Sequence, residues 1–207
     1  MNIQPTTLLS ILSTTEKRLI KVFDRPSIRI RIPRLKINQG KRPLITNWPN
    51  FYEPLTIIQL LELGYNWGIR TGKKIGSYYF IILDLDDCWA KSRMEVNRYV
   101  QTNKGIHIYC LIKELPPNFI LVNQEGKRIG ELHSLGKQVV GIGSIHELGT
   151  RYSLKGQNNS AWFLKFERME ELAEFLEIRG VYFKPKSKAN IKANIHYTLN
   201  KYTILAS

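Results

Sequence analysis

The chain has 207 residues, with 31 Lys and Arg against 17 Asp and Glu, a formal net charge of +14 and two cysteines. That length suits one large domain or two small ones packed intimately. Cys88 and Cys110 are too few for a disulfide framework or a Cys-only zinc site, and each sits in or beside an apolar run, as a reduced structural thiol does. With no transmembrane-length apolar run and no signal-peptide h-region, the sequence predicts a soluble, cytoplasmic protein with no membrane partner.

The charge is uneven. Between Lys17 and Arg42 there are ten Lys and Arg and one acid, Asp24; from Lys184 to Lys201 there are five lysines and no acid. Nucleic acid is the leading partner this favours and an acidic membrane surface the second, the plain alternative being a merely basic surface.

Residues 6–23 have helical apolar spacing, diluted by Ser, Thr and β-branched positions. SIRIRI (27–32) alternates and predicts a strand with one buried face, closed by Pro33. NQGKRPLITNW (38–48) is a basic loop broken by Gly and Pro. Pro54 opens a short predicted helix that Gly64 ends. NWGIRTG (66–72) predicts a short strand and turn, and residues 78–86 a long strand. A helix is expected over 89–100, then strands at 105–112, 128–135, 138–143 and 151–154. FERMEELAEFLEIRG (166–180) is an amphipathic helix. Beyond Pro185 the chain turns basic and polar, like a linker, so the division expected is a domain over 1–183 and a basic tail over 184–207. Mixed helices and strands with hairpin-like steps predict an α+β fold.

YYFIILDLDD (78–87) is an apolar run that ends in three aspartates. Residues two apart on a strand share a face, about 6.5 Å apart, so Asp84 and Asp86 lie together and Asp87 turns away. Such carboxylates repel unless a cation neutralises them or one takes a proton. Their oxygens suit Mg²⁺ or Mn²⁺, and a two-metal centre can activate a hydroxyl and hold a triphosphate. The alternative is a strand that ends in an Asp-rich turn. TNKGIHIY (102–109) puts His107 inside a strand two residues after Gly105, where a backbone or ligand could approach closely; a satisfied core histidine is the alternative. GELHSLGKQVVGIGSIH (130–146) carries an isolated carboxylate, Glu131, and the small residues Gly143 and Ser144 before His146.

Together these segments, over roughly 30–155, resemble the primase–polymerase family, the bifunctional DNA primase/polymerase branch of the archaeo-eukaryotic primase superfamily. KRPLITNW looks like that family's Lys-rich entry loop; FIILDLDD is similar to its acid-x-acid metal motif, which falls on Asp84 and Asp86. TNKGIHIY looks like the small-x-His motif, with Gly105 where Ser is frequent and His107 toward the nucleotide's phosphates. The third motif's acid falls on Glu131, where many members use Asp. The resemblance implies an RRM-like catalytic sheet packed with a smaller α/β module. It implies Asp84, Asp86 and Glu131 holding two Mg²⁺ or Mn²⁺ ions; some members carry a zinc-binding insertion, against which the two isolated cysteines argue here.

The activity so implied is DNA primase and/or DNA polymerase, taking dNTP or NTP substrates on a single-stranded DNA template. A helicase or accessory priming domain is a possible partner, and the setting is plasmid or mobile-element replication, defence or repair. Lys104, Arg70, Lys137, Ser144 and His146 join His107 as candidates for the triphosphate. Arg29, Arg31, Arg34, Lys41 and Arg42 are candidates for the template backbone, with Trp48, Phe51 and Tyr52 available to stack on bases. Two rivals stay open: a non-catalytic RRM-type single-strand binder using Tyr109, and a rolling-circle-type DNA nickase, although HIY supplies only one histidine of the pair a nickase uses.

Overall fold

A computed structural model of the chain describes residues 10–32, 52–86, 94–157 and 161–185. Over these residues the protein is α+β, with three helices, twelve strands and almost wholly antiparallel pairing. Helix α1 (Thr14–Phe23) begins at Ser13, whose side chain accepts from the Glu16 N–H while the Glu16 carboxylate accepts from the Ser13 N–H. Helix α2 (Ile57–Glu62) starts three residues after Pro54 because Thr56 and Gln59 form the same reciprocal cap. Helix α3 (Met169–Glu177) is the amphipathic segment the sequence predicts, starting three residues late.

The large sheet runs β10 (Ser153–Gly156), β5 (Arg98–Gln101), β6 (Ile106–Ile112), β4 (Tyr78–Leu85), β8 (Arg128–His133), β7 (Phe119–Val122), β12 (Tyr182–Pro185). Two short strands share edges with these: β3 (Lys74–Ile75) pairs the start of β4, and β11 (Leu164–Phe166) pairs the end of β6 in parallel. A three-stranded sheet, β1 (Arg29–Ile32), β2 (Asn66–Arg70) and β9 (Gln138–Val140), makes a second layer.

β4 is central and apolar on both sides, so it feeds two cores. Phe80 and Ile82 pack with Leu19, Ile20 and Phe23 of α1 and with Trp67 and Ile69 of the small sheet. Ile81, Leu83 and Leu85 pack on the other side with Leu172 and Leu176 of α3.

The helix expected over 89–100 is corrected where it is described: Arg98–Gln101 is strand β5, held between β6 and β10. Tyr99 and Val100 are strand-favouring residues, and alternation buries Val100 opposite His107. Strands β7, β11 and β12 are unpredicted additions; each is three or four residues long and adds to an edge already formed. β12 crosses the expected boundary at 184. Among the described residues no helix is long and apolar enough to cross a membrane.

Candidate active site

β4 runs antiparallel to β6 on one side and β8 on the other, and one register line crosses all three strands. Asp84 lies opposite His107 on β6 and opposite Glu131 on β8. Asp84 shares its face with Phe80 and Ile82, so it stands where the α1-side core ends. The Asp86 N–H still donates to the Ile129 carbonyl at 2.9 Å, and Asp86 itself is exposed at the strand's exit.

Two glycines let the flanking strands close on this exit. A Cβ at Gly105 would sit 1.8 Å from the Leu85 carbonyl oxygen, and one at Gly130 would sit 2.2 Å from that of Asp84. Of the two close approaches expected at Gly105, backbone or ligand, it is therefore the backbone of β4 that makes it.

The Asp84 carboxylate is 26 % exposed and lies between two imidazoles. His107 Nε2 is 3.2 Å from Oδ1, and His133 Nε2 is 3.2 Å from Oδ2. Burial works against the charged carboxylate, but His107, by charge and hydrogen bond, and then His133 outweigh it and hold the group well below the usual carboxylate range. The two imidazoles thus offset the cost of enclosing the Asp84 charge. Glu131 is bonded as well: Arg128 Nη2 donates to Oε1 at 2.6 Å, while His133 Nδ1, 3.7 Å from Oε2, lies beyond hydrogen-bond reach. The His107 ring lies 5.9 Å from that of Tyr152, and among the described residues its buried Nδ1 finds no hydrogen-bond partner.

The remaining candidates fall in three groups. Lys104 is exposed in the turn between β5 and β6, next to Gly105, while His146 is half-buried in the loop before β10, its Nδ1 accepting from the Leu148 N–H. Lys137 is half-buried just before β9, its carbonyl accepting from the Thr71 N–H. Other candidates are engaged inside the fold. Ser144 is fully buried, its hydroxyl bonded to both the N–H and the carbonyl of Trp67. Arg70 is buried at the end of β2, where loss of hydration lowers its pKa against the charges of Tyr52 and Glu53. Arg29 is buried and paired with Asp24 at 3.0 Å. Arg34, Lys41, Arg42, Trp48, Phe51 and Asp87 lie outside the described residues, as does the side chain of Arg31; Tyr52 is exposed.

Sequence reasoning missed His133 and Arg128. His133 was within reach of it, because it stands two residues after Glu131 on a strand and so shares that face.

Asp84 and Glu131 offer hard oxygen donors from neighbouring strands, with Asp86 one step further out. Among the described residues no group of three His, Cys, Asp or Glu is arranged to hold a metal ion. Mg²⁺ commonly takes only one or two carboxylates and completes its shell with water and substrate phosphates, and the carboxylates present fit that habit. No family model matches the chain, and no curated protein sequence matches it.

Proposed function

We propose that the chain is a template-directed nucleotidyl transferase of the primase–polymerase type, acting on single-stranded DNA. The observation that carries this reading is the register line: a carboxylate, an imidazole and a second carboxylate abreast on three adjacent strands, with Asp86 at the exit. The large sheet is the catalytic, RRM-like platform of a primase fold, and the small sheet with α1 is its second module.

In the transfer, a hydroxyl attacks the α-phosphate of a nucleoside triphosphate in line, and pyrophosphate leaves. Such chemistry asks the protein for positioning and for charge compensation more than for covalent help. Asp84 and Glu131, with Asp86, would hold Mg²⁺ or Mn²⁺, which when bound supplies charge neutralisation at the phosphates. His107 orients Asp84, and Lys104 stands nearby for the triphosphate. With Arg29 spent on Asp24, the exposed Lys17, Arg18, Lys21 and Arg25 carry the described part of the basic path for the template.

The test offers primed and unprimed single-stranded DNA, all eight nucleotides and Mg²⁺ or Mn²⁺, and sizes the products. The wild type should extend or prime, and Asp84→Asn with Glu131→Gln should do neither. A folded wild type that incorporates nothing on either template overturns the reading.

One observation favours a second reading. His133 adds a second imidazole at Asp84, which the nickase alternative lacked in sequence. Cleavage of the template with a covalent protein–DNA adduct in the same assay would establish it. The RRM-type binder fares worse: Tyr109 is buried, edge-on to Phe23 and Phe80, and has no face left for a base.

A further inference from the structure

Residues three apart on a regular strand point to opposite faces. Arg128 and Glu131 are three apart on β8, yet their side chains meet at 2.6 Å. The cause is a bulge. Leu121 of β7 lies opposite Gly130 and Val122 opposite Arg128, which leaves Ile129 as an extra residue. Ile129 and Leu132, also three apart, consequently both bury into the α3-side core. A bulge of this kind re-aims side chains, and this one turns Arg128 onto the face of Asp84 and Glu131.

The ion pair so made is lopsided. The Arg128 side chain is 58 % exposed and the Glu131 side chain 18 %. A guanidinium reaching in from solvent adds little stability, so fold stability is a poor reason for a bulge that brings it there. What the placement does supply is a planar cation at the edge of a carboxylate site. A divalent cation that takes Glu131 competes for the oxygen Arg128 uses and releases the guanidinium, whose fork matches phosphate oxygens.

We infer that Arg128 is a phosphate-binding residue for the incoming nucleoside triphosphate, and that it occupies Glu131 until a divalent cation displaces it. This rests on the nucleotidyl-transfer reading. The test titrates wild type, Arg128→Ala and Arg128→Lys with dATP in Mg²⁺ without template, titrates each with Mn²⁺ alone, and records a thermal melt. In Arg128→Ala, dATP affinity should fall roughly ten- to a hundred-fold. Mn²⁺ should bind at least as tightly as in wild type, and the melt should stay put. Arg128→Lys, which keeps the charge, should regain part of the dATP affinity. Unchanged dATP affinity in Arg128→Ala overturns the inference alone. So does a parallel loss of Mn²⁺ binding, which would make Arg128 only a prop for Glu131. A folded wild type that does not bind dATP at all removes the nucleotidyl-transfer reading, and the inference with it.

Discussion

Two polar clusters occupy the same face of β4, one at each end, and they are made of similar parts. At the Tyr78 end, Lys113 Nζ lies 2.5 Å from Glu167 Oε2, with both side chains about half exposed (51 % and 48 %). The Tyr78 hydroxyl donates to Glu167, and the Lys113 and Lys165 ammonium groups stand 5.8 and 5.6 Å from the Tyr78 ring centre. At the Asp84 end the carboxylate is largely enclosed, and its partners His107 and His133 are 6 % and 14 % exposed. Water screens the first cluster and can replace any member of it. It cannot do so at the second, where removing one partner strands the others in a poorly hydrated place. The difference in enclosure, more than in composition, sets the Asp84 end apart, and it is the end we propose for the chemistry.

The hardest way to break that enclosure is at its glycines. In Gly105→Ala the new Cβ meets Leu85 backbone, so β6 must move off β4. Denaturant unfolding should show a loss of about 3 kcal/mol. A loss too small to resolve would mean that the strands at this exit are not tightly apposed. Gly76, in the turn at the other end of β4, has open space where its Cβ would go and sets no such spacing.

A direct comparison of the clusters comes next. Asp84→Ala leaves two enclosed imidazoles without their carboxylate and should cost about 1–3 kcal/mol. Repulsion between Asp84 and Asp86 alone predicts the opposite sign, a gain, so a raised Tm in this variant would discredit the His107–Asp84–His133 arrangement. Glu167→Ala at the screened end should leave Tm unchanged.

The gentlest probe is pH. The folded protein holds the Asp84 pKa below its unfolded value of about 3.9. Its contribution to stability is therefore complete above that unfolded value and is lost as pH falls toward the folded one. Tm measured from pH 6 down to pH 3 should fall less steeply in Asp84→Asn than in wild type. The Glu167 carboxyl is also lowered, first by its hydrogen bond from Lys113, but it is exposed, so Glu167→Gln should follow the wild-type slope. Equal slopes for Asp84→Asn and wild type would show that the two ends are electrostatically alike.

The legible part of the molecule was whatever depends on neighbours in sequence. Strand geometry over 78–86 read Asp84 onto the face of Phe80 and Ile82, and 105–112 and 128–135 read as strands, which the structure forms over Ile106–Ile112 and Arg128–His133. Short edge strands such as β12 were not legible, because three or four residues carry too little periodicity to distinguish them from loop. Arg29 read as a phosphate contact from its charge, yet it is buried on Asp24, a pairing no local pattern announces.

By itself, then, the sequence determined the α+β class, the central strand and the residue types able to do acid, imidazole and phosphate chemistry, since each follows from periodicity and side-chain character along a few residues. Only the tertiary structure decided that β6 and β8 both flank β4 in the register that sets His107 and Glu131 beside Asp84. It alone gave Gly105 to the backbone of β4 and Ser144 to Trp67, and brought His133 against Asp84. It also turned Arg128 through a bulge onto Glu131. Strand order, register and bulges are set by which distant segments bury their apolar faces together, and a shift of one residue reverses every side chain on the strand.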